Sequence, residues 1–170
     1  MLTKTTLSGL RAVTMLGLNA DSQPLSPRFM AEALGESPSY LAKVLRHLVR
    51  AGILKAHRGP NGGVSLNRPP ESVTLLAVVE ACQGVVLGDF CEGNLDPRLT
   101  CAFHQAGVEL HHAVVSVLSR WTLADLMRRP GPDPSVAGRS QCWLQPCPVL
   151  KGLITCEEEA RPLTASALEP

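Results

Sequence analysis

The chain has 170 residues, 45% of them hydrophobic, which suits one domain with a modest core or a small domain with appendages and excludes two large domains. Sixteen Lys and Arg against fifteen Asp and Glu give a formal charge of +1, a total that by itself argues against a strongly basic nucleic-acid binder. That total hides a division: residues 1–70 hold nine bases and three acids, a net of +6, whereas residues 71–170 hold seven bases and twelve acids, a net of −5.

In chain order, residues 5–20 place Leu7, Leu10, Val13 and Leu16 or Gly17 at steps of three and four, predicting an amphipathic helix with Arg11 on its outer face. Asp21-Ser22-Gln23-Pro24 is turn chemistry. Ser26-Pro27 then reads as a cap followed by a proline in the first helical position, opening a short helix that turns Met30, Ala31 and Leu34 inward and stops at Gly35. Ser37-Pro38 repeats the signature and opens a third helix through Leu41, Val44, Leu45 and Leu48 to Gly52. Two short helices around a glycine turn, the second rich in bases, have the grammar of a helix-turn-helix. Residues 53–57 and 64–66 flank Arg58-Gly59-Pro60-Asn61-Gly62-Gly63, predicting a hairpin directly after the second of these helices, that is, a wing.

Residues 74–82 predict another helix, capped by Ser72 or Thr74 and burying Leu75, Val78 and Val79. Residues 84–100 lose periodicity and read as a loop. From 103 to 127 a stripe of Val108, His111 or His112, Val115, Leu118 and Leu123 predicts one long helix, and an apolar stripe at the end of a small domain asks for a second copy to cover it. From Arg128 onward come seven of the fourteen prolines and the run Glu157-Glu158-Glu159, the composition of a largely flexible tail. The expected architecture is mostly α with a small β-hairpin wing: a winged helix-turn-helix over 1–70, a sensor loop and dimerisation helix over 71–127, and a cysteine-containing tail over 128–170.

DNA binding follows from these elements on physical grounds. Ser37, Ser39 and Tyr40 in the first turn of the third helix bring short polar groups to base edges, while Lys43, Arg46 and Arg50 supply cations for phosphate. Arg28 adds a cation at the start of the preceding helix. In the wing, Gly59, Gly62 and Gly63 remove side chains where backbone comes close to DNA, with Asn61 at the turn and Arg58 left to enter the minor groove. Six aromatic residues are too few for a single-strand stacking surface, so the expected partner is duplex DNA.

Three motifs resemble the Rrf2 family of bacterial winged-helix repressors. Ser37-Pro38-Ser39-Tyr40-Leu41 is similar to the Ser-x-x-Tyr-Leu opening of the family's recognition helix, and Arg58-Gly59-Pro60-Asn61-Gly62-Gly63 to its Arg-Gly-Pro-x-Gly-Gly wing. Thr122-Leu123-Ala124-Asp125-Leu126 resembles the Thr-Leu-x-Asp-Leu ending of its dimer helix. The resemblance covers residues 1–127 and implies a homodimeric transcription repressor reading a palindromic operator. Two positions depart from the pattern. Ala42 stands where family members often carry Glu, which can accept from cytosine, so a different base preference is expected; Val64 stands where an aromatic is usual.

No apolar stretch reaches eighteen residues and MLTKTTLSGL has no secretory character, so the six cysteines are expected in a reducing cytoplasm, where they point to metal or redox chemistry. Family members that carry an iron-sulfur cluster place three cysteines in the loop before the dimer helix and some add a histidine three positions after the last. Here Cys91 and Cys101 bracket the loop and Cys101-Ala102-Phe103-His104 keeps that ending, but Asn94, Leu95, Asp96 and Pro97 stand where the middle cysteine would fall. A two-iron cluster takes four ligands. Cys91, Cys101 and His104 supply three, and the candidates for a fourth are Asp96 or Asp89, or Cys142, Cys147 or Cys156 of the tail. Cys82, on an apolar helix face, reads as a small buried hydrophobe, and His111 and His112 as ordinary helix residues. A cluster, a thiol-oxidation sensor and a cofactor-free regulator stay open, as does a winged helix that binds protein. No Cys-x-x-Cys pair, phosphate loop or nucleophile motif supports an enzyme.

Overall fold

The computed structural model describes residues 2–59, 62–86 and 100–128. It contains α1 (Lys4–Leu18), α2 (Pro27–Leu34), α3 (Pro38–Arg50), a hairpin of β1 (Leu54–His57) and β2 (Gly63–Leu66), then α4 (Leu75–Gln83), α5 (Ala102–Arg120) and α6 (Leu123–Arg128).

α1 is the centre of the assembly. Thr3 caps it by accepting from the Thr6 N–H, and α3, α4 and α6 pack around it. Burial runs almost all the way round, through Gly9, Leu10, Ala12, Val13, Met15, Leu16 and Gly17 as well as Thr6, Ser8 and Thr14. The one-sided helix expected from the sequence is therefore corrected. Arg11 does not face solvent: its side chain is 16% exposed and its guanidinium lies 3.8 Å from the Glu36 carboxylate. A helix enclosed by three others has no outer face to offer, and its polar groups are bonded inward, Thr6 to Gln83 at 2.8 Å, Ser8 to Glu36, and Thr14 to the Leu10 carbonyl at 2.8 Å.

α2 and α3 begin as read. The Ser26 hydroxyl accepts from the Phe29 N–H at 3.2 Å and the Ser37 hydroxyl from the Tyr40 N–H at 3.3 Å, each with proline in the first turn, and Gly35 closes α2 in the left-handed region at φ 65. Met30, Ala31 and Leu34 of α2 meet Leu41, Val44, Leu45 and Leu48 of α3 in the core.

The hairpin is antiparallel, with Leu54 opposite Leu66 and His57 opposite Gly63. Its base is fastened twice to the helices. Leu25 and Val64 exchange backbone bonds of 3.0 and 2.9 Å, and Gln23 bridges the Leu66 N–H to the Leu16 carbonyl, both at 2.8 Å.

Thr74, not Ser72, caps α4, accepting from the Ala77 N–H at 3.1 Å; the Ser72 hydroxyl donates to the Pro69 carbonyl instead. Val78, Val79 and Cys82 are buried, whereas Leu75 is only half-buried.

The single long helix expected over 103–127 is broken. Trp121 is extended, its carbonyl accepts from the Leu75 N–H at 2.9 Å, and the Leu123 N–H donates to the Val73 carbonyl at 2.8 Å. These bonds to the start of α4 replace the helical ones. Thr122-Leu123-Ala124-Asp125-Leu126 thus opens α6 and does not end the long helix: the Asp125 carboxylate accepts from the Thr122 N–H at 2.9 Å while the Asp125 N–H donates to Thr122 Oγ1 at 3.4 Å, the reciprocal arrangement of a capping box. One buried cluster runs from Leu10 to Leu123, and α5 adds no buried residue to it.

Candidate nucleic-acid interface

The face of α3 turned from the core carries Ser39, Ala42, Lys43, Arg46, His47 and Arg50, all exposed, at the three- and four-residue steps that align side chains along one side of a helix. His47 is a basic-type side chain on this face that a count of Lys and Arg alone misses, although its spacing from Lys43 is visible in the sequence. Ser37 is also exposed, with its hydroxyl engaged in the cap. Tyr40 is placed differently from Ser39. It is half-buried and turned back on α1, with the Lys4 ammonium 5.5 Å from its ring centre and its hydroxyl donating to Thr5 Oγ1 at 3.5 Å.

The wing adds Arg58 and Lys55, both exposed; Lys55 is the second residue absent from the sequence-based site, and its alternation with buried Leu54 is the signal that marks it. Gly59 stands at φ 108. Gly62 and Gly63 have reasons internal to the fold: a Cβ on Gly62 would strike the His57 carbonyl oxygen, and one on Gly63 the Leu25 carbonyl oxygen. Across the strands, His57 Nε2 lies 2.8 Å from Ser65 Oγ. Asn61 lies outside the described residues. Arg28 is exposed in the first turn of α2 beside Phe29, itself 53% exposed.

The nine bases of residues 1–70 therefore divide by position, Lys4 lying over the Tyr40 ring on α1. Arg11 is enclosed with Glu36, and Arg68 donates to the Ala51 carbonyl at 3.3 Å behind the end of α3. Arg28, Lys43, Arg46, Arg50, Lys55 and Arg58 are exposed on the helix-turn-helix and its hairpin. Such a surface offers cations to a polyanion and short groups to base edges, with an apolar underside fixing its register.

Of the cysteine and histidine candidates, Cys101 is the exposed cap residue of α5, with no capping bond from its side chain, and His104 is half-buried one turn later. Cys91, Asp89, Asp96, Cys142, Cys147 and Cys156 lie outside the described residues, and among the described residues no three His, Cys, Asp or Glu side chains gather. Cys82 is buried against α1, and burial pushes its thiol up to about 11. His111 and His112 stand edge to face with ring centres 5.9 Å apart.

α5 packs on α4. His104, Val108, His111, Val115 and Leu118 are half-buried, so most of the stripe expected to meet a partner is partly covered already. A second stripe is open: Phe103 is 76% exposed, Leu110 51% and Val117 47%, with exposed Ala106 and Ala113 between them. No helix among the described residues is long and apolar enough to cross a membrane.

Comparison with known proteins gives a consistent result. The family model for Rrf2, described as an iron-dependent transcriptional regulator, matches residues 2–129. Protein aau3 of Rhizobium meliloti (strain 1021) is 30% identical over 170 residues, covering 98% of this chain and 99% of that protein, so the similarity continues through the tail. An HTH-type transcriptional regulator of Haemophilus influenzae is 31% identical over 131 residues, 74% of this chain and 87% of that one. The structure of CymR, the global cysteine regulator of B. subtilis, superposes with a TM-score of 0.63 at 23% identity over 75% of this chain and 96% of its own.

Proposed function

This chain belongs to the Rrf2 family of HTH-type transcriptional regulators, and from that premise we propose that it is a cytoplasmic, homodimeric repressor in which α3 enters the major groove of a palindromic operator. Arg28, Lys43, Arg46, Arg50, Lys55 and Arg58 meet phosphate or the minor groove, with the hairpin, including Gly59, Asn61, Gly62 and Gly63, as the wing. Ser39 and His47 reach base edges, Ser37 fixes the start of the helix, and Tyr40 holds that start to α1. The division of labour places reading in 1–70, pairing in 71–127, and leaves 128–170 as an appendage carrying three cysteines.

The observation that carries this reading is the one-sidedness of α3: four apolar residues buried on one face, and Lys43, Arg46, His47 and Arg50 exposed on the other. The test is binding to promoter DNA as a function of salt. Each phosphate contact contributes a slope of about −0.9 in log K against log salt, so binding falls by orders of magnitude between about 50 and 200 mM. Binding that ignores ionic strength replaces this reading with a protein-binding winged helix.

A second copy is the occupant that the open stripe of α5 fits. Phe103, Ala106, Leu110, Ala113 and Val117 alternate at three and four residues, the repeat of a two-helix seam, and a two-fold pairing sets two recognition helices against two half-sites.

For the signal, the described residues offer two donors, Cys101 and His104, fewer than the four a two-iron cluster takes. Cys91 and a fourth ligand among Asp89, Asp96, Cys142, Cys147 and Cys156 would complete a set; without one, the chain is a thiol-oxidation sensor or a cofactor-free regulator. Anaerobic purification with iron and sulfide analysis separates the two. In a cluster-bearing protein Cys101→Ala abolishes the visible absorbance, and an unchanged spectrum removes Cys101 from the ligand set.

A further inference from the structure

Two sets of contacts meet on the first turn of α1. From the side of α4, the Gln83 carboxamide oxygen accepts from the Thr3 backbone N–H at 3.2 Å and from the Thr6 hydroxyl at 2.8 Å. Thr3 is the cap of α1, so Gln83 is bonded to the residue that starts the helix. From the side of α3, Tyr40 lies under the Lys4 ammonium and donates to Thr5. One turn on, Ser8 and Arg11 hold Glu36, the residue before the Ser37 cap of the recognition helix. α1 and α4 are in close contact at Gly9, where a Cβ would come within 2.6 Å of Cys82 Sγ.

We propose that Gln83 is a positioning residue for DNA recognition: its carboxamide oxygen fixes the first turn of α1, and that turn, through Lys4 and Thr5, fixes Tyr40 and the entry angle of α3. The consequence for DNA rests on the reading given above; the link itself rests on the contacts. Gln83 is the last residue of α4, beside Gly84 at φ 87, where the chain leaves toward Cys91. The end of the core that leads into the cysteine-bearing segment is thus the end that grips the start of α1, the turn on which Tyr40 of the recognition helix rests.

Tyr40 is the chain's only tyrosine, so protein grown with 3-fluorotyrosine gives one fluorine resonance, from this site. Gln83→Leu keeps the bulk and loses the acceptor, and it displaces or broadens that resonance. Thr6→Val displaces it in the same direction, and Gln83→Glu, which keeps an acceptor oxygen, leaves it near the wild-type position. On a DNA site selected by the wild-type protein from a random pool, Gln83→Leu binds about five-fold more weakly, while its affinity for non-specific DNA and its salt slope stay within about two-fold because no phosphate contact is touched. A resonance that Gln83→Leu does not move, in a protein with wild-type circular dichroism, overturns the proposal, as does one moved equally by Gln83→Glu. Should Gln83→Leu not fold, Thr6→Val decides in its place. A wild-type protein that selects no DNA overturns the DNA-binding reading and this consequence with it, a failure told apart from failure of the link because the fluorine signal needs no DNA.

Discussion

Asp125 accepts from the backbone N–H and the hydroxyl of Thr122, and these bonds, aided by Arg128 at 2.7 Å, hold its carboxyl below the ordinary value. A group whose folded value is depressed stabilises the native state above its unfolded value, and that contribution is lost as pH falls through the folded one. Asp125→Asn is therefore expected to lower the melting temperature at neutral pH and to narrow the gap between neutral and acid melting temperatures; an unchanged gap would show that the capping box does not titrate with folding. Gly63 offers a second residue-scale prediction. Alanine there must displace the Leu25 backbone, so Gly63→Ala is expected to cost about 1–3 kcal/mol in urea unfolding and to weaken DNA binding through the wing. A glycine that only cleared space for DNA would lose affinity and keep stability.

At the scale of elements, the close approach of α1 and α4 predicts non-additivity. Gly9→Ala alone gains helix propensity of about 1 kcal/mol yet is expected to destabilise, since Cys82 Sγ occupies the space of the new methyl group. Combined with Cys82→Ala, the loss measured by urea unfolding should be smaller than the sum of the two single changes. These contacts also show which elements were readable from sequence. The starts of α2 and α3 were, because Ser26-Pro27 and Ser37-Pro38 act on N–H groups only a few residues away. The break between α5 and α6 was not, because the groups that win the Trp121 carbonyl and the Leu123 N–H come from Leu75 and Val73, far off in the chain. Arg11 misled for a related reason: one polar residue opposite an apolar stripe marks an outer face only if nothing packs there, and Glu36 does. His47 and Lys55 were legible by spacing. The two stripes of α5 were legible as periodicity but not told apart, since both the half-buried and the open one are apolar, and only packing on α4 separates them.

For the whole molecule, the formal charge of +1 says little about how it meets DNA, because six exposed bases gather on α2, α3 and the hairpin while most of the acids lie beyond residue 70. Association through the α5 stripe would set two such basic surfaces at a fixed separation. Leu110→Glu puts a charge in the middle of the stripe and is expected to turn a dimer into a monomer in sedimentation at micromolar concentration, with operator affinity falling and the salt slope roughly halved as one half-site is lost. A dimer that survives Leu110→Glu would move the pairing surface elsewhere.

The bonds at Trp121 tie the C-terminal end of α5 to the start of α4. Its 19 residues include none that is fully buried, and its one covered face is only half-buried against α4, so tertiary packing among the described residues contributes little to the order of a helix of that length. Its helicity should then depend on how many copies of the chain are present, so that far-ultraviolet ellipticity per residue falls on dilution and amide exchange along 102–116 quickens while 117–123 stays slow. On the proposed pairing, the abundance of the protein becomes an input to its own architecture: below a threshold of copies per cell the second half-site would be addressed by nothing, and above it both would be read together.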